Sequence, residues 1–600
     1  MKETDNKKSV EQKKIKSKNK KNKPIKPVKS IKSKDIHSKL SNKKIKNKVH
    51  KLTAKDIEKK ARNDIKKNYQ QFFIRLKQEN NNDRLYILFN SITTAFDPHS
   101  KYMSPEQKND FEITMKGSLE GIGAVLKENG PYLKVIKIIP GGPSSKQKQL
   151  EVEDIILSVS QKPKEKPVNI FNMRINDVIK LIRGPTGTRV YLKIKKPNGE
   201  IKNISMIRNV VEIEESYAKG AILEYENSGF KIGYIYLPTF YRDFEMQAEA
   251  IVGRNCTDDV RAILEKFAKA KINGLIFDLM NNEGGSLEDV KTISGLFISK
   301  GPIVQVLKRD GTKDTLSDND SSISYDGPMV VLINRSSASA SEIMAAALQD
   351  YKRAVIIGGD HSYGKGTVQV LLNLDEAIIS EDKKLPPLGA LIITNQKFYR
   401  ITGASTQNKG VIADIVLPNS QMALKIGERY LDYSLNWDEI QALNFDKWKN
   451  GSLNLTKVVE ESKKRVEKNE KFQKIKNFIE ILKKSKENTF VSLKIDDVQR
   501  EQNKIHTESK QYQLNKINDK IIVYSEENSK FIKTIFPSKD NLENKLKQKS
   551  KDSLDLEEKE NEKDDEDDDI YEGKTEWLNS LRKNPYVEEA MFVLKDIQTK

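Results

Sequence analysis

Cysteine is almost absent from this chain: Cys256 is the single one in 600 residues. That excludes an intramolecular disulfide and any cysteine cluster able to hold zinc. Apolar residues make up 36% and charged residues 32%, so a sizeable fraction of the chain belongs to no core. Aromatics stand at 7% and are not interleaved with the lysines of the chain ends. With no recognition motif beside them, nucleic acid is not an expected partner. Residues 1 to about 52 contain no apolar block of the length a signal peptide or membrane span needs, and no export signal is readable there. Internal repeats are absent.

What is present is charge at the ends and pattern in the middle. The formal charge of +20 is concentrated in lysine-rich tails. The first 54 residues, dominated by Lys, Asn and Ser, are expected to form a disordered basic arm that cannot bury enough surface to offset its ordering entropy. Attraction to an anionic surface is the functional alternative, and it leaves room for a peripheral membrane association.

The stretch from Val331 to Gln369 carries the chemistry. A short apolar run after Gly327-Pro328 reads as a buried strand; small residues follow, then a helical pattern at Ile343, Met344, Ala347 and Leu348. A strand-turn-helix unit leaves a serine at the turn exposed beside unpaired helix N-terminal N–H groups, where a nucleophile and oxyanion donors can coexist. A second strand, AVIIG, leads to Gly364-Lys365-Gly366. Gly359 to Lys365 fits the start of a P-loop, but Gly366 stands where the magnesium-binding Ser or Thr belongs. The next residues, TVQVLLNL, alternate like a strand and do not open a helix, so nucleotide binding is set aside in favour of a serine-lysine pair.

The segments SSASASEIMAAALQDYKRAVIIGGDHSYGKGTVQ and LGALIITNQKFYRITGASTQNKGVIADIVLP resemble the tail-specific or carboxy-terminal processing proteases, the S41 serine peptidases, from about Asp56 to beyond Pro418. The resemblance implies an α/β multidomain protein: a crotonase/ClpP-like protease core, an inserted PDZ domain, and helical N- and C-terminal regions. It implies Ser339 as nucleophile, Lys365 as general base, Gln369 as the residue orienting that lysine, and no cofactor. It further implies that the N-x-G-G turn at Asn282 to Gly285 supplies one oxyanion N–H from Gly285, and Ala340 the other. The serine-to-lysine segment is one residue longer than the family pattern, at Gly358-Gly359, which leaves Ser341 as a competitor for the nucleophile. His361, the nearest histidine, would serve a Ser-His-Asp alternative. A non-catalytic PDZ adaptor is the reading from another class.

Around this centre, residues 55–111 read as helical, with Tyr69, Phe72, Phe73 and Leu76 on one stripe and Leu85, Leu88 and Phe89 on another, all expected in a core. Asp97-Pro98-His99-Ser100 resembles a D-P-H-T/S segment of the same family. A histidine in such a turn is more often structural than catalytic. Residues 112–209 show short strands around one helix, and the backbone at Gly121, Ile122 and Gly123 can form a carboxylate-binding nest beside a free strand edge. This resembles a PDZ domain, with Glu153 at a turn position where the family has glycine. The protease domain is expected over 210–420 and a helical C-terminal domain over 421–536. Residues 537–600 should be a charged, mostly disordered tail, acidic run included, closing on one amphipathic helix. Expected partners are protein substrates with apolar C-terminal tails, together with an adaptor protein or a second copy of the chain. The resemblance implies a bacterial envelope or periplasmic setting.

Overall fold

The computed structural model describes residues 53–244, 253–377, 387–448, 455–512, 516–527, 530–534 and 565–598. The expected basic arm lies outside the described residues, as does most of the expected disordered linker before the last helices. Two compact units separate at Leu76. Of the first, the described part is one helix, α1 (Ala54–Gln78), which runs into the second.

The periodicity predicted helices here, and helices form. α2 (Asn81–Thr93) starts at Asn80, whose side chain accepts from the N–H groups of Asn82 and Asp83. The expected core placement does not hold: Tyr69, Phe72, Phe73, Leu76, Leu85, Leu88 and Phe89 are 40 to 61% exposed. Helical spacing specifies a stripe on a helix, not what covers it. Nor is the region purely helical. Strand β1 (Lys101–Met103) pairs with a strand some 290 residues later before α3 (Pro105–Lys116), capped by Ser104, leads onward.

The 112–209 module follows with β2 (Ser118–Gly121), β3 (Ala124–Asn129), β4 (Tyr132–Ile138), α4 (Pro143–Gln147), β5 (Ile155–Ser160), β6 (Val168–Asn169), α5 (Ile175–Ile182), β7 (Arg189–Lys195), β8 (Ile201–Ile207) and β9 (Asn209–Glu212). Its main sheet runs β3-β4-β5-β7-β8, so β3 is an edge strand, and antiparallel β2 and β9 join the two ends of the module. Val135, Ile156, Val178, Val190 and Met206 fill a core of its own. Glu153 stands at φ 75°, the left-handed conformation that a glycine tolerates best.

The central sheet collects β10 (Lys219–Tyr225), β11 (Lys231–Tyr236), β12 (Gly274–Asp278), β15 (Met329–Ile333), β16 (Val355–Gly358) and β19 (Ile415–Val416). Strands β11, β12, β15, β16 and β19 are parallel neighbours, and β10 closes on β11 antiparallel. Their near-continuous apolar sequences follow from burial on both faces. Leu275 and Phe277 of β12 point into one core with Val331 of β15 and Ile356 of β16, while Ile276, Val330, Leu332 and Ile357 point into the other. On the first face lie α6 (Cys256–Ala270), α7 (Leu287–Gly295) and α8 (Ala340–Asp350). A second sheet, of β13 (Gly301–Lys308), β14 (Lys313–Asp318), β17 (Thr367–Asn373), β18 (Ala390–Tyr399) and the early β1, stands beside it.

The other face is covered by the C-terminal region, which departs from expectation in two respects. After α9 (Leu455–Lys468), α10 (Glu470–Glu487) and α11 (Ile495–Gln511), the segment β20 (Ile521–Glu527) adds to the edge of β10, and β21 (Lys530–Lys533) pairs with β20. The region is therefore not all helical: Ile521, Val523 and Ser525 are buried on alternate positions, a strand period. Among the described residues the chain end also carries two helices where one was expected. α12 (Asp565–Lys583) takes in most of the acidic run, and α13 (Pro585–Gln598) follows it. Acidic residues suit a helix N-terminus through its dipole. The break comes at Pro585, which cannot continue α12 but starts α13 with Asn584 accepting from the Tyr586 N–H at 2.9 Å. Val587, Ala590, Met591 and Leu594 of α13 pack directly on the central sheet.

Candidate active site

Two strand-turn-helix units meet at the carboxyl ends of β12 and β15, where open parallel sheets bind ligands. Because these strands are neighbours, their turns are stitched together. The Ala338 N–H donates to the Asn282 carbonyl at 2.9 Å, and Asn334 and Asn281 exchange bonds of 2.8 and 3.0 Å. Gly284, at φ 106°, lies so close that an added Cβ would stand 2.8 Å from the Ser339 Cβ. Only glycine lets the two turns meet.

Of the three alternate serines, two are spent on structure. Ser337 is buried and donates to the Leu279 carbonyl at 2.7 Å; Ser341 is buried and donates to the Asn282 carbonyl at 2.9 Å. Ser339 alone is part-exposed, at φ 55° and ψ −112° immediately before α8, and its hydroxyl donates to no acceptor among the described residues. A β-carbon-bearing residue in that conformation is strained, and strain of this kind collects at active sites. The N–H groups of Ala340 and Gly285 donate to no acceptor among the described residues, leaving two backbone donors uncommitted beside the serine.

Glu342, a residue the sequence reading passed over, ties the Lys365 loop to this elbow. One carboxylate oxygen accepts from the Ser339 N–H at 2.8 Å and the Lys365 N–H at 2.9 Å, and the other accepts from Ser362 Oγ at 2.5 Å and the Gly364 N–H at 2.6 Å. The spacing Ser339-x-x-Glu342 is that of a capping box, the signal by which it was findable. Burial pushes the Glu342 carboxyl up to about 7 despite these four donors. Burial likewise lowers the Lys365 ammonium below its ordinary value, against the opposing charges of Glu428 and Glu342.

The remaining expected residues divide. Gln369 lies at a bulge in β17, with Nε2 donating to Thr367 and Thr394 hydroxyls at 2.9 and 3.0 Å; no hydrogen bond joins it to Lys365, nor Lys365 to Ser339, among the described residues. His361 is buried, bonded through Nδ1 to the Ser362 carbonyl at 2.6 Å and 3.8 Å from Asp360, with no bond to Ser339. Thr367–Asn373 is a strand, so Lys365 opens no phosphate-binding helix. Gly121, Ile122 and Gly123 line a separate cleft of about 1720 Å³, shared by Leu126 of β3, Ile179 of α5 and Trp577 of α12. The Ile122 and Gly123 N–H groups donate to no acceptor among the described residues, and the Ile122 carbonyl accepts from the Ser144 N–H at 2.8 Å, which shapes the turn. Among the described residues no helix is long and apolar enough to cross a membrane.

Four family models match the chain: peptidase family S41 over residues 231–417, a PDZ domain over 112–195, the tail specific protease N-terminal domain over 7–106, and the C-terminal domain of tail specific protease over 422–599. The tail-specific protease of Haemophilus influenzae is 37% identical over 414 residues, 68% of this chain and 56% of that protein. A carboxy-terminal-processing protease of Bartonella bacilliformis is 30% identical over 359 residues, 58% of this chain and 72% of that protein. A carboxy-terminal processing protease of Bacillus subtilis is 31% identical over 316 residues, 52% of this chain and 62% of that protein. The chain thus spans little more than half the length of the Haemophilus protein.

Proposed function

Because this chain belongs to the tail-specific and carboxy-terminal processing proteases of peptidase family S41, we propose that it is an ATP-independent endopeptidase that captures protein C-terminal tails in its PDZ domain and cleaves by a Ser-Lys mechanism. The observation that carries this reading is the single Glu342 oxygen accepting from both the Ser339 and Lys365 N–H groups, beside two uncommitted backbone donors. Ser339 Oγ attacks the scissile carbonyl carbon as Lys365 Nζ takes its proton. The oxyanion forms against the N–H groups of Gly285 and Ala340. Collapse breaks the C–N bond, and Lys365 returns the proton to the leaving amine. Water, deprotonated by the same lysine, then hydrolyses the acyl-enzyme and frees Ser339. No step uses a nucleotide.

The test is cleavage of a reporter protein ending in an apolar tail, followed by mass spectrometry. Ser339→Ala is expected to lower turnover by roughly four orders of magnitude while tail binding persists. Lys365→Arg should be folded and inactive, because arginine does not deprotonate. Cleavage that survives in Ser339→Ala but disappears in Ser341→Ala would move the nucleophile. A rate tracking a group near 6.5 that vanishes in His361→Ala would hand the base to the histidine. Binding without cleavage in the wild type would leave an adaptor.

A further inference from the structure

The turn Asp97-Pro98-His99-Ser100 precedes the catalytic domain by more than a hundred residues, yet two of its three polar side chains lead to the segment that carries Lys365 and Gln369. Asp97 Oδ1 accepts from Thr394 Oγ1 at 2.8 Å, and the hydroxyl of Thr394 accepts in turn from Gln369 Nε2 at 3.0 Å. His99 Nε2 lies 2.8 and 3.0 Å from the two oxygens of Glu428, which is fully buried. Glu428 also accepts from Gln407 Nε2 at 3.0 Å, and Gln407 Oε1 accepts from the Gly366 N–H at 2.7 Å. The Glu428 N–H donates to the Tyr363 carbonyl at 3.1 Å. The lysine loop is therefore gripped on both sides of Lys365.

The donor count along the first arm decides an orientation. Asp97 is acceptor-only: burial raises its carboxyl, but bonds from Ser100, Thr394 and two backbone N–H groups outweigh that and hold it below its ordinary value. A threonine hydroxyl has one proton, and here it goes to Asp97. Thr394 can then only accept from Gln369, so the amide must present its NH2 to Thr394 and keep Oε1 for another donor. In the reverse orientation, Gln369 Oε1 would face an oxygen with no proton to give.

Resting on the serine-lysine reading of the site, we propose that the Asp97–Ser100 turn is a positioning element for the general base: Asp97, through Thr394, fixes the polarity of the Gln369 amide so that Oε1 is the face offered to the Lys365 amine, and His99, through Glu428 and Gln407, holds the loop that carries it. An amine that donates to a fixed acceptor keeps its lone pair in one direction, as proton abstraction from Ser339 requires. The two arms act on Lys365 with opposite sign. Oε1 as acceptor favours the ammonium, so withdrawing it makes deprotonation easier. His99 engages the Glu428 carboxylate by hydrogen bonds, so withdrawing it leaves that carboxylate to act more strongly on Lys365 and makes deprotonation harder. The charged groups acting on Lys365 are Glu428, Glu342, Lys101 and Asp97. Of these only Glu428 is bonded to the His99 side chain; Asp97 accepts from the His99 backbone N–H.

The experiment uses the full chain and a quenched fluorescent peptide with an apolar free-acid tail, measuring kcat and KM against pH together with Tm. Thr394→Val is expected to lower kcat about tenfold or more, leave KM within about twofold, and move the midpoint of the kcat profile down. Thr394→Ser, which keeps the hydroxyl, should restore both. His99→Leu should lower kcat and move the midpoint up, and His99→Gln, which keeps an N–H for Glu428, should restore most of the rate. Equal behaviour of Thr394→Val and Thr394→Ser, or midpoints that stay at the wild-type pH while only Tm falls, would overturn the inference. Should Thr394→Val not fold, the two His99 variants decide on the same criteria. Lys365→Ala separates the two claims: activity there sinks the serine-lysine reading itself, whereas an inactive Lys365→Ala beside wild-type profiles in the turn variants sinks only the positioning role.

Discussion

At the scale of the residue, Glu342 combines complete burial with four donors, and the two effects pull against each other. Its carboxyl is raised to about 7 in the fold against an ordinary value of 4.5. The unfolded chain therefore releases this proton first as pH rises. Between about 4.5 and 7 the folded state binds more protons, so stability falls as pH rises through that window and levels off above it. Glu342→Gln removes the effect, which is of the order of 3 kcal/mol. Denaturant titrations at pH 4.5 and 8 should show a smaller difference for the variant. Its activity should nevertheless drop at least about tenfold, because a glutamine NH2 then faces donors that need an acceptor. Glu153 offers a test of opposite sense. It sits at φ 75° with only an exposed ion pair to Lys134 in return. Glu153→Gly should stabilise the protein by about 0.5–1 kcal/mol, visible as a higher denaturation midpoint, while Glu153→Ala should not.

At the scale of the element, α13 is a wall of the catalytic domain. Leu594 lies so near Gly274 of β12 that an added Cβ there would meet its side chain at 3.1 Å, and Arg465 of α9 holds Glu589 of α13 at 2.9 Å. Leu594→Ala should cost about 2–5 kcal/mol, read from chemical denaturation. Truncation before Pro585 should leave a chain that exposes Ile276, Val330 and Leu332 and does not remain soluble and active. An activity equal to wild type in that truncation would mean the second core is dispensable. β20 belongs to the same argument, because it covers β10 and so moves the exposed edge of the sheet outward.

At the scale of the molecule, the PDZ cleft and the Ser339–Lys365 site occupy different places. The cleft lined by Gly121 to Gly123 is walled by the PDZ module, the start of β10 and α12, whereas Ser339 and Lys365 sit at the ends of β15 and β16. Tail capture should therefore affect KM more than kcat. Amidating the C-terminus of a substrate is expected to raise KM about tenfold or more, since the uncommitted Ile122 and Gly123 N–H groups lose a charged acceptor. Equal KM for the free acid and the amide would exclude the nest as the tail site.

The sequence by itself determined the local chemistry. The strand-turn-helix pattern put a serine before α8, the glycines at 284 and 285 announced a close approach, and Gly366 with the alternation after it excluded a P-loop. These are legible because they depend on spacing along a few residues. The capping-box spacing made Glu342 legible too, though only as a helix start; that it also holds the Lys365 loop depends on β15 and β16 being neighbours. Tertiary structure alone decided which serine was free, since Ser337, Ser339 and Ser341 differ in their partners and not in their type. It also decided what covered each apolar stripe, leaving Tyr69 and Phe72 exposed while Val587 and Leu594 closed a core. And it brought Asp97 and His99 to a lysine more than 260 residues away, through side chains of Thr394, Glu428 and Gln407 that no local pattern marks. Periodicity encodes which face of an element is apolar; only the packed chain says which face meets which.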